Sequence, residues 1–391
     1  MGLNQNTWKL NQWYAQDVAG NVSYTGAQGI YSWGSAPYGE LGQNDEGAPA
    51  RRSSPVQVGS DTTWSSITGY FDGYFYGSTK TDGTLWMWGA NTHGSQGTNQ
   101  GPSALTGRSS PTQIGSGTDW ARAYAGSKTN QYATKTDGSL WAWGYGGQGQ
   151  LGQNDDVTRS SPIQIPGTTW GTTDDKIGGG QETPLAIKTD GTLWVWGWGH
   201  VGQTGQNNTT SYSSPTQIGS GTDWAKVSRG GGGYGQWAIK TDGTLWSWGL
   251  NEAGQLGHNN RTYYSSPKQI PGTSWSHVRQ AVNCNFAFRT DGTMWAIGNN
   301  GVGRLGLNTP ESSAVSSPVQ IPGTNCSDLV SCSANSVAIK TDGTLWSWGY
   351  QGARGSLGQN NQTNYSSPTQ IPGTWISISA SGQHTYHALK A

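Results

Sequence analysis

Residues 238–249 read Ala238-Ile-Lys-Thr-Asp-Gly-Thr-Leu-Trp-Ser-Trp-Gly249. Two short apolar stretches flank Thr-Asp-Gly, where Asp and Gly supply the turn, so the segment predicts a β-hairpin of two short strands. Its closing element recurs. A Trp-x-Trp-Gly motif ends at Gly34 (as Tyr-Ser-Trp-Gly), Gly89, Gly144, Gly197, Gly249, Gly298 (as Trp-Ala-Ile-Gly) and Gly349, at intervals of 49–55 residues. Self-similarity on this scale redefines the whole fold, because each unit buries its apolar face against its neighbours.

Working outward from the hairpin, Ser-Ser-Pro-x-Gln-Ile/Val recurs with its proline at Pro55, Pro111, Pro162, Pro215, Pro267, Pro318 and Pro368. A Gly-x-Leu-Gly-x-Asn type of loop lies between the two markers. Its asparagine stands in every unit, at Asn44, Asn99, Asn154, Asn207, Asn259, Asn308 and Asn360. The Pro-x-Gln-Ile segment and the later Trp-x-x-Val segment, as in Trp224–Val227, predict two further strands bounded by Gly, Pro and Ser. Four strands per unit, seven units and no amphipathic helical period predict an all-β fold: a seven-bladed β-propeller of four-stranded blades over residues 27–391, preceded by an N-terminal arm, residues 1–26. The first unit lacks the Lys-Thr-Asp-Gly arm and opens at Ile30, while the chain ends in that arm, His387–Ala391. Pairing of the N- and C-terminal strands is therefore expected to close the ring and remove two exposed edges.

Composition narrows the function. The chain of 391 residues holds 62 Gly and 22 Trp but only 11% charged residues, against roughly 25% charged in an ordinary domain. Aromatic content of 11% with 22 basic residues balancing 22 acidic ones is the opposite of a disordered composition. The longest basic run is Arg51-Arg52, so no nucleic-acid partner is expected. No apolar run is long enough to span a membrane, and the first 25 residues carry neither a basic stretch nor an apolar one, so no secretory leader is expected.

Catalytic constellations are missing as well: no Ser-His-Asp ordering, Walker lysine motif or His-Glu-x-x-His occurs, and the chain is expected to be non-enzymatic, with no catalytic residue, cofactor or metal. His93, His200, His258, His277, His384 and His387 lack zinc-ligand spacing. Asp82, Asp137, Asp190, Asp242, Asp291 and Asp342 sit at turn positions, and the Asp174-Asp175 pair reads as solvated loop charge. Cys284, Cys326 and Cys332 form no Cys-x-x-Cys pair and read as small buried thiols.

Together, Ser-Ser-Pro-x-Gln-Ile, Gly-Gln-Leu-Gly and Asp-Gly-x-Leu-Trp-Ser-Trp-Gly resemble the repeat of the regulator of chromosome condensation family over residues 27–391. The resemblance implies a seven-bladed propeller and functions that range over nucleotide exchange on a small GTPase, ultraviolet-B sensing and protein interaction. The exchange reading calls for a long wedge-like insertion, which repeats of 49–55 residues leave out; the photoreceptor's Gly-Trp-Arg-His-Thr is absent, as no Trp here precedes Arg. Eighteen tryptophans occupy repeat positions and are expected to be structural, Trp246 among them as a core residue. The third set, Trp64, Trp120, Trp170, Trp224, Trp275 and Trp375, has Cys326 in its place in the sixth unit.

Binding should lie where the sequence departs from the repeat, on the loops of the two faces. The candidate surface is Tyr70, Phe71, Tyr74, Phe75 and Tyr76 together with Tyr263 and Tyr264, aromatic rings suited to a protein or glycan surface. Tyr212, Tyr365, Trp198 and Trp237 add aromatics off the main pattern. Trp8, Leu10, Trp13 and Tyr14 make the arm a candidate for docking onto a larger assembly. Low charge and Gly/Ser/Thr/Asn richness favour an interaction or structural protein of a virion capsid or tail appendage, or an extracellular adhesion protein, over a cytoplasmic one. The alternative is an intracellular regulatory adaptor or guanine-nucleotide exchange factor of the type the resemblance implies.

Overall fold

The computed structural model describes residues 29–44, 50–69, 74–100, 107–126, 129–229, 232–309, 314–323, 325–331, 334–350, 356–361, 363–381 and 385–390. Among these, the strands form seven four-stranded antiparallel sheets, the blades, in six of which chain order runs from inner to outer strand. The fourth blade shows the plan. Its inner strand Trp224–Val227 pairs with Gly235–Lys240, which returns through Thr-Asp-Gly into Leu245–Gly249, which pairs with the outer Tyr264–Ile270. The first, second, third, fifth and sixth blades begin at Thr68, Trp120, Ile177, Trp275 and Cys326. The seventh is made by both ends of the chain: Trp375–Ser381 and Thr385–Lys390 join Gly29–Ala36 and Ala50–Gln57, with Gly29 opposite Lys390 and Gly34 opposite Thr385. This is the expected closure.

The hairpin turn is a local hydrogen-bond device. Asp242 Oδ1 accepts from the Thr244 N–H (2.9 Å) and hydroxyl (2.7 Å), and the Thr244 hydroxyl accepts from Trp246 Nε1 (2.9 Å). The same set recurs at Asp82, Asp190, Asp291 and Asp342, which confirms these aspartates as turn residues. Gly249 follows with φ +96°, because a Cβ there would meet the Tyr234 carbonyl oxygen at 2.4 Å. These turns and the links into the next blade form one face of the ring, the turn face. The opposite, long-loop face carries the turns after the inner strands and the Gly-x-Leu-Gly loops.

Blades are stitched to one another by two repeated bonds. The second hairpin tryptophan is fully buried and its Nε1 donates to a loop carbonyl of the preceding blade: Trp88 to Glu40 (3.0 Å), Trp143 to Ser95 (2.8 Å), Trp196 to Gln150 (2.8 Å), Trp248 to Gln203 (2.9 Å) and Trp348 to Arg304 (2.9 Å). Each loop asparagine adopts a left-handed backbone, φ +50° to +60°, which Asn tolerates better than most residues. In that conformation its N–H donates to a Ser-Ser-Pro serine carbonyl of the next blade, from Asn44 to Ser109 around the ring to Asn360 to Ser53, at 2.7–3.3 Å. All seven bonds are made, and this accounts for both markers in the sequence.

The tryptophan sets differ in depth. The second hairpin tryptophans and the inner-strand set are buried, whereas Trp86, Trp141, Trp194, Trp246, Trp295 and Trp346 are half-buried. Trp246 is therefore not the core residue expected. It stands edge-on to Trp224 (6.1 Å), with Lys240 Nζ 5.0 Å from both ring centroids. Trp248→Ala should cost about 3–5 kcal/mol by opening a core cavity, and Trp246→Ala about half of that, read as the difference in denaturant unfolding free energy; equal losses would contradict this layering.

Candidate functional site

The long-loop face gathers aromatic side chains from several blades. Tyr38 lies in the loop before the Asn44 clasp and packs edge-on against Tyr74 (5.2 Å). His93 meets Tyr145 at 4.9 Å, and Trp198 stacks on His200 (5.1 Å) and contacts Tyr234 (4.8 Å). Tyr38 is 45% exposed, and Tyr263 and Tyr350 are each 41% exposed. Tyr263 is held by its hydroxyl, which donates to Glu252 Oε1 at 2.7 Å. Rings fixed this way are rigid, amphipathic contact area at low entropic cost.

The sequence placed only part of this surface. Tyr263 and the half-buried Tyr74 are on it. Phe75 and Tyr76 are not: both are fully buried, because the second strand of a blade is covered on both sides by neighbouring blades. Tyr76 stacks on Trp88 (5.7 Å), lies 3.6 Å from the His387 ring and donates its hydroxyl to the Thr385 carbonyl. Tyr264 is half-buried, as Tyr74 is. With Tyr212 and Tyr365 it opens an outer strand, and Asn260 Nδ2 (3.0 Å) and Lys268 Nζ (2.8 Å) donate to its hydroxyl; Asn208 and Asn361 serve the other two. Tyr70, Phe71, Trp8, Leu10, Trp13 and Tyr14 lie outside the described residues. Tyr38, Tyr145 and Tyr350 were missed, although Tyr145 and Tyr350 directly follow the Trp-x-Trp-Gly glycine, as Trp198 does.

The central channel holds the second polar feature. Between Trp170 and Ile177 the third blade carries six residues where the other blades carry two, and this insertion delivers Asp174 and Asp175. Asp174 pairs with Arg122 of the second blade and Arg229 of the fourth (3.0 Å). Asp175 pairs with Lys226 (3.5 Å) and, past the fourth blade, with Arg279 of the fifth (3.5 Å), whose Nε bonds Asp328 of the sixth at 2.5 Å. Burial raises the Asp175 carboxyl, but Arg279, Arg229 and Lys226 outweigh it and hold it below its ordinary value. Burial, with Arg279 close by, pulls His277 down to about 4, so it adds no charge at neutral pH. The pair read as solvated loop charge is thus a bridge locking five blades. Among the described residues no group of three His, Cys, Asp or Glu is placed to hold a metal, and no helix is long and apolar enough to cross a membrane.

The regulator of chromosome condensation (RCC1) repeat profile matches residues 137–170, 242–284, 291–339 and 342–387, four stretches that each start at the aspartate of a hairpin turn, with the unit that starts at Asp190 outside the match. The propeller resembles the RCC1 family through these repeats. Human WBSCR16 superposes with a TM-score of 0.78 at 20% identity, covering 93% of this chain and 99% of that one. Prp20p of Saccharomyces cerevisiae, whose structure was reported with its binding to Gsp1p and histones, gives 0.77 at 19% identity over 93% and 92%. In sequence the propeller is 25% identical over 250 residues to the ultraviolet-B receptor UVR8 of Arabidopsis thaliana, covering 62% of this chain and 53% of the receptor. It is 28% identical over 263 residues to the human E3 ubiquitin-protein ligase HERC2, 65% of this chain but 5% of the ligase. The chain thus spans about half of the receptor and a small part of the ligase. Nothing in these likenesses supports the capsid, tail-appendage or adhesion setting expected from composition; the regulatory alternative fits them better.

One carboxyl on the long-loop face departs from its siblings. Gln150, Gln203 and Gln255 accept, through Oε1, the N–H two residues earlier; Glu40 does the same from Tyr38 at 2.8 Å, but as an acid. Burial raises its pKa to about 7. Folding therefore pays an ionisation penalty that is absent below the ordinary value of 4.5, grows with pH, and is complete above about 7. Glu40→Gln should leave stability unchanged at pH 4 and add on the order of 2–3 kcal/mol at pH 8, measured by unfolding across that range; a pH-independent effect would contradict it.

Proposed function

We propose that this propeller is a non-enzymatic protein-binding adaptor of the regulatory type, holding a protein client on its long-loop face. The observation that carries the reading is the set of exposed rings on that face, Tyr38 braced by Tyr74, Tyr263 held by Glu252, and Tyr350, together with the half-buried Trp198 packed on His200 and Tyr234. Interface cores are enriched in Tyr and Trp, and a few such anchors supply most of the binding energy. The rest of the ring suits a scaffold. Its aspartates are committed to turns and its channel carboxylates to arginines and a lysine, leaving the loop face to vary. The binding of Prp20p to Gsp1p and histones supports a protein client over a glycan.

In-cell crosslinking followed by affinity capture tests this. A Trp198→Ala/Tyr263→Ser variant should lose its clients by tenfold or more, the effect expected of truncated anchors, while Ile376→Ser, at an exposed position on the turn face, should keep them. Clients lost equally from both variants, or retention of a glycan in place of proteins, would overturn the assignment.

A further inference from the structure

Six of the seven blades build the same cage on the turn face: a cation from the second strand stands over aromatic rings at the edge of the blade. Lys80 faces Trp64 and Trp86, Lys135 faces Trp120 and Trp141, and Lys188 faces Trp170 and Trp194. Lys240 and Arg289 repeat the arrangement with two tryptophans, and Lys390 does so with Trp375 and Tyr31. The sixth blade is different. Lys340 Nζ stands 4.1 Å over Trp346, but the inner-strand position that supplies the other ring holds Cys326.

Where the indole would be, there is a cavity of about 190 Å³, lined by Met294, Ile321, Pro322, Cys326, Lys340 and Trp346 among others. An apolar protein cavity of about 150 Å³ stays dry and accepts a benzene-sized guest. Access is open on this side: a Cβ on Gly323, at the rim, would meet nothing within 4 Å. The equivalent place between the first and second blades, where Trp120 is present, is a wider open groove lined also by Lys135 and Trp141.

We propose that this slot is a binding site for a small planar aromatic ligand of the indole class. The ligand fills the space of the missing ring, packs on Ile321 and Met294, and presents its π-face to Lys340 as six sibling rings do to theirs. The site is separate from the aromatic loop face, so it is independent of the proposed client.

Indole itself is the probe, titrated into the full chain by calorimetry and followed by thermal unfolding. One equivalent should bind saturably, with a dissociation constant of order 0.1 mM. Cys326→Trp should fill the slot, abolish binding and raise the unfolding temperature without ligand; Cys326→Leu, less bulky, should weaken binding at least tenfold if the tryptophan variant fails to fold. Lys340→Met should weaken it about fivefold, the loss of one cation–π contact. Non-saturable binding to the unaltered chain, or undiminished binding to the position-326 variants, would overturn the site. Binding seen only after Trp8→Ala and Trp13→Ala would also overturn it, by giving the slot to the chain's own arm.

Discussion

The molecule depends on one contact made again and again: an indole buried in one blade donating its N–H to a loop carbonyl of the blade before it, 44–48 residues back in the chain. A buried Trp Nε1 without a partner is costly, and a buried carbonyl is too, so each bond satisfies two groups that packing has removed from water. The contact also sets spacing. Close approach of loop and indole leaves no room for side chains on the flanking glycines, and a Cβ on Gly97 would lie 2.9 Å from Trp143 Nε1. High glycine and high tryptophan content are thus two sides of one requirement.

That requirement explains what was readable in advance. Residues that make inter-blade bonds recur in register, so the hairpin, the asparagine clasp and the closing strand could be found by alignment of the chain with itself. Depth within a blade could not. Trp246 and Trp248 are two residues apart on one strand and share a sheet face, yet one lies at the edge of the blade and the other under the preceding blade's loop. The aromatic run at 70–76 misled for a related reason. Tyr76 and Phe75 look exceptional beside Gly, Ser and Asn, but both are buried in the second strand of the blade, Tyr76 stacked on Trp88 as Tyr386 is on Trp33 in the seventh. Tyr38 was overlooked because its loop otherwise conforms to the repeat.

Departures from the repeat divide into those that repair the ring and those that open it. The insertion bearing Asp174 and Asp175 repairs: the channel brings four cations together, and three carboxylates, two from that insertion, offset them. Replacement of the inner-strand tryptophan by Cys326 opens the ring surface. Glutamate for glutamine at Glu40 does neither and leaves a carboxyl whose charge the fold disfavours. Function is better sought in departures of the second and third sorts, since a substitution that costs stability with no packing gain has no structural reason to persist.

The shared seventh blade also sets a clock. The partner of the strand Gly29–Ala36, Thr385–Lys390, begins 349 residues after Ala36 and is synthesised that much later. At about 5–20 residues per second the first strand waits roughly 17–70 s with one edge unpaired. During that interval six blades are already able to stack, and the nascent chain is an open arc whose leading edge resembles that of an aggregation-prone sheet. A ring built to close last therefore leaves the strand Gly29–Ala36 exposed longest, and the demand it places on the cell's folding machinery is concentrated on that strand's open edge.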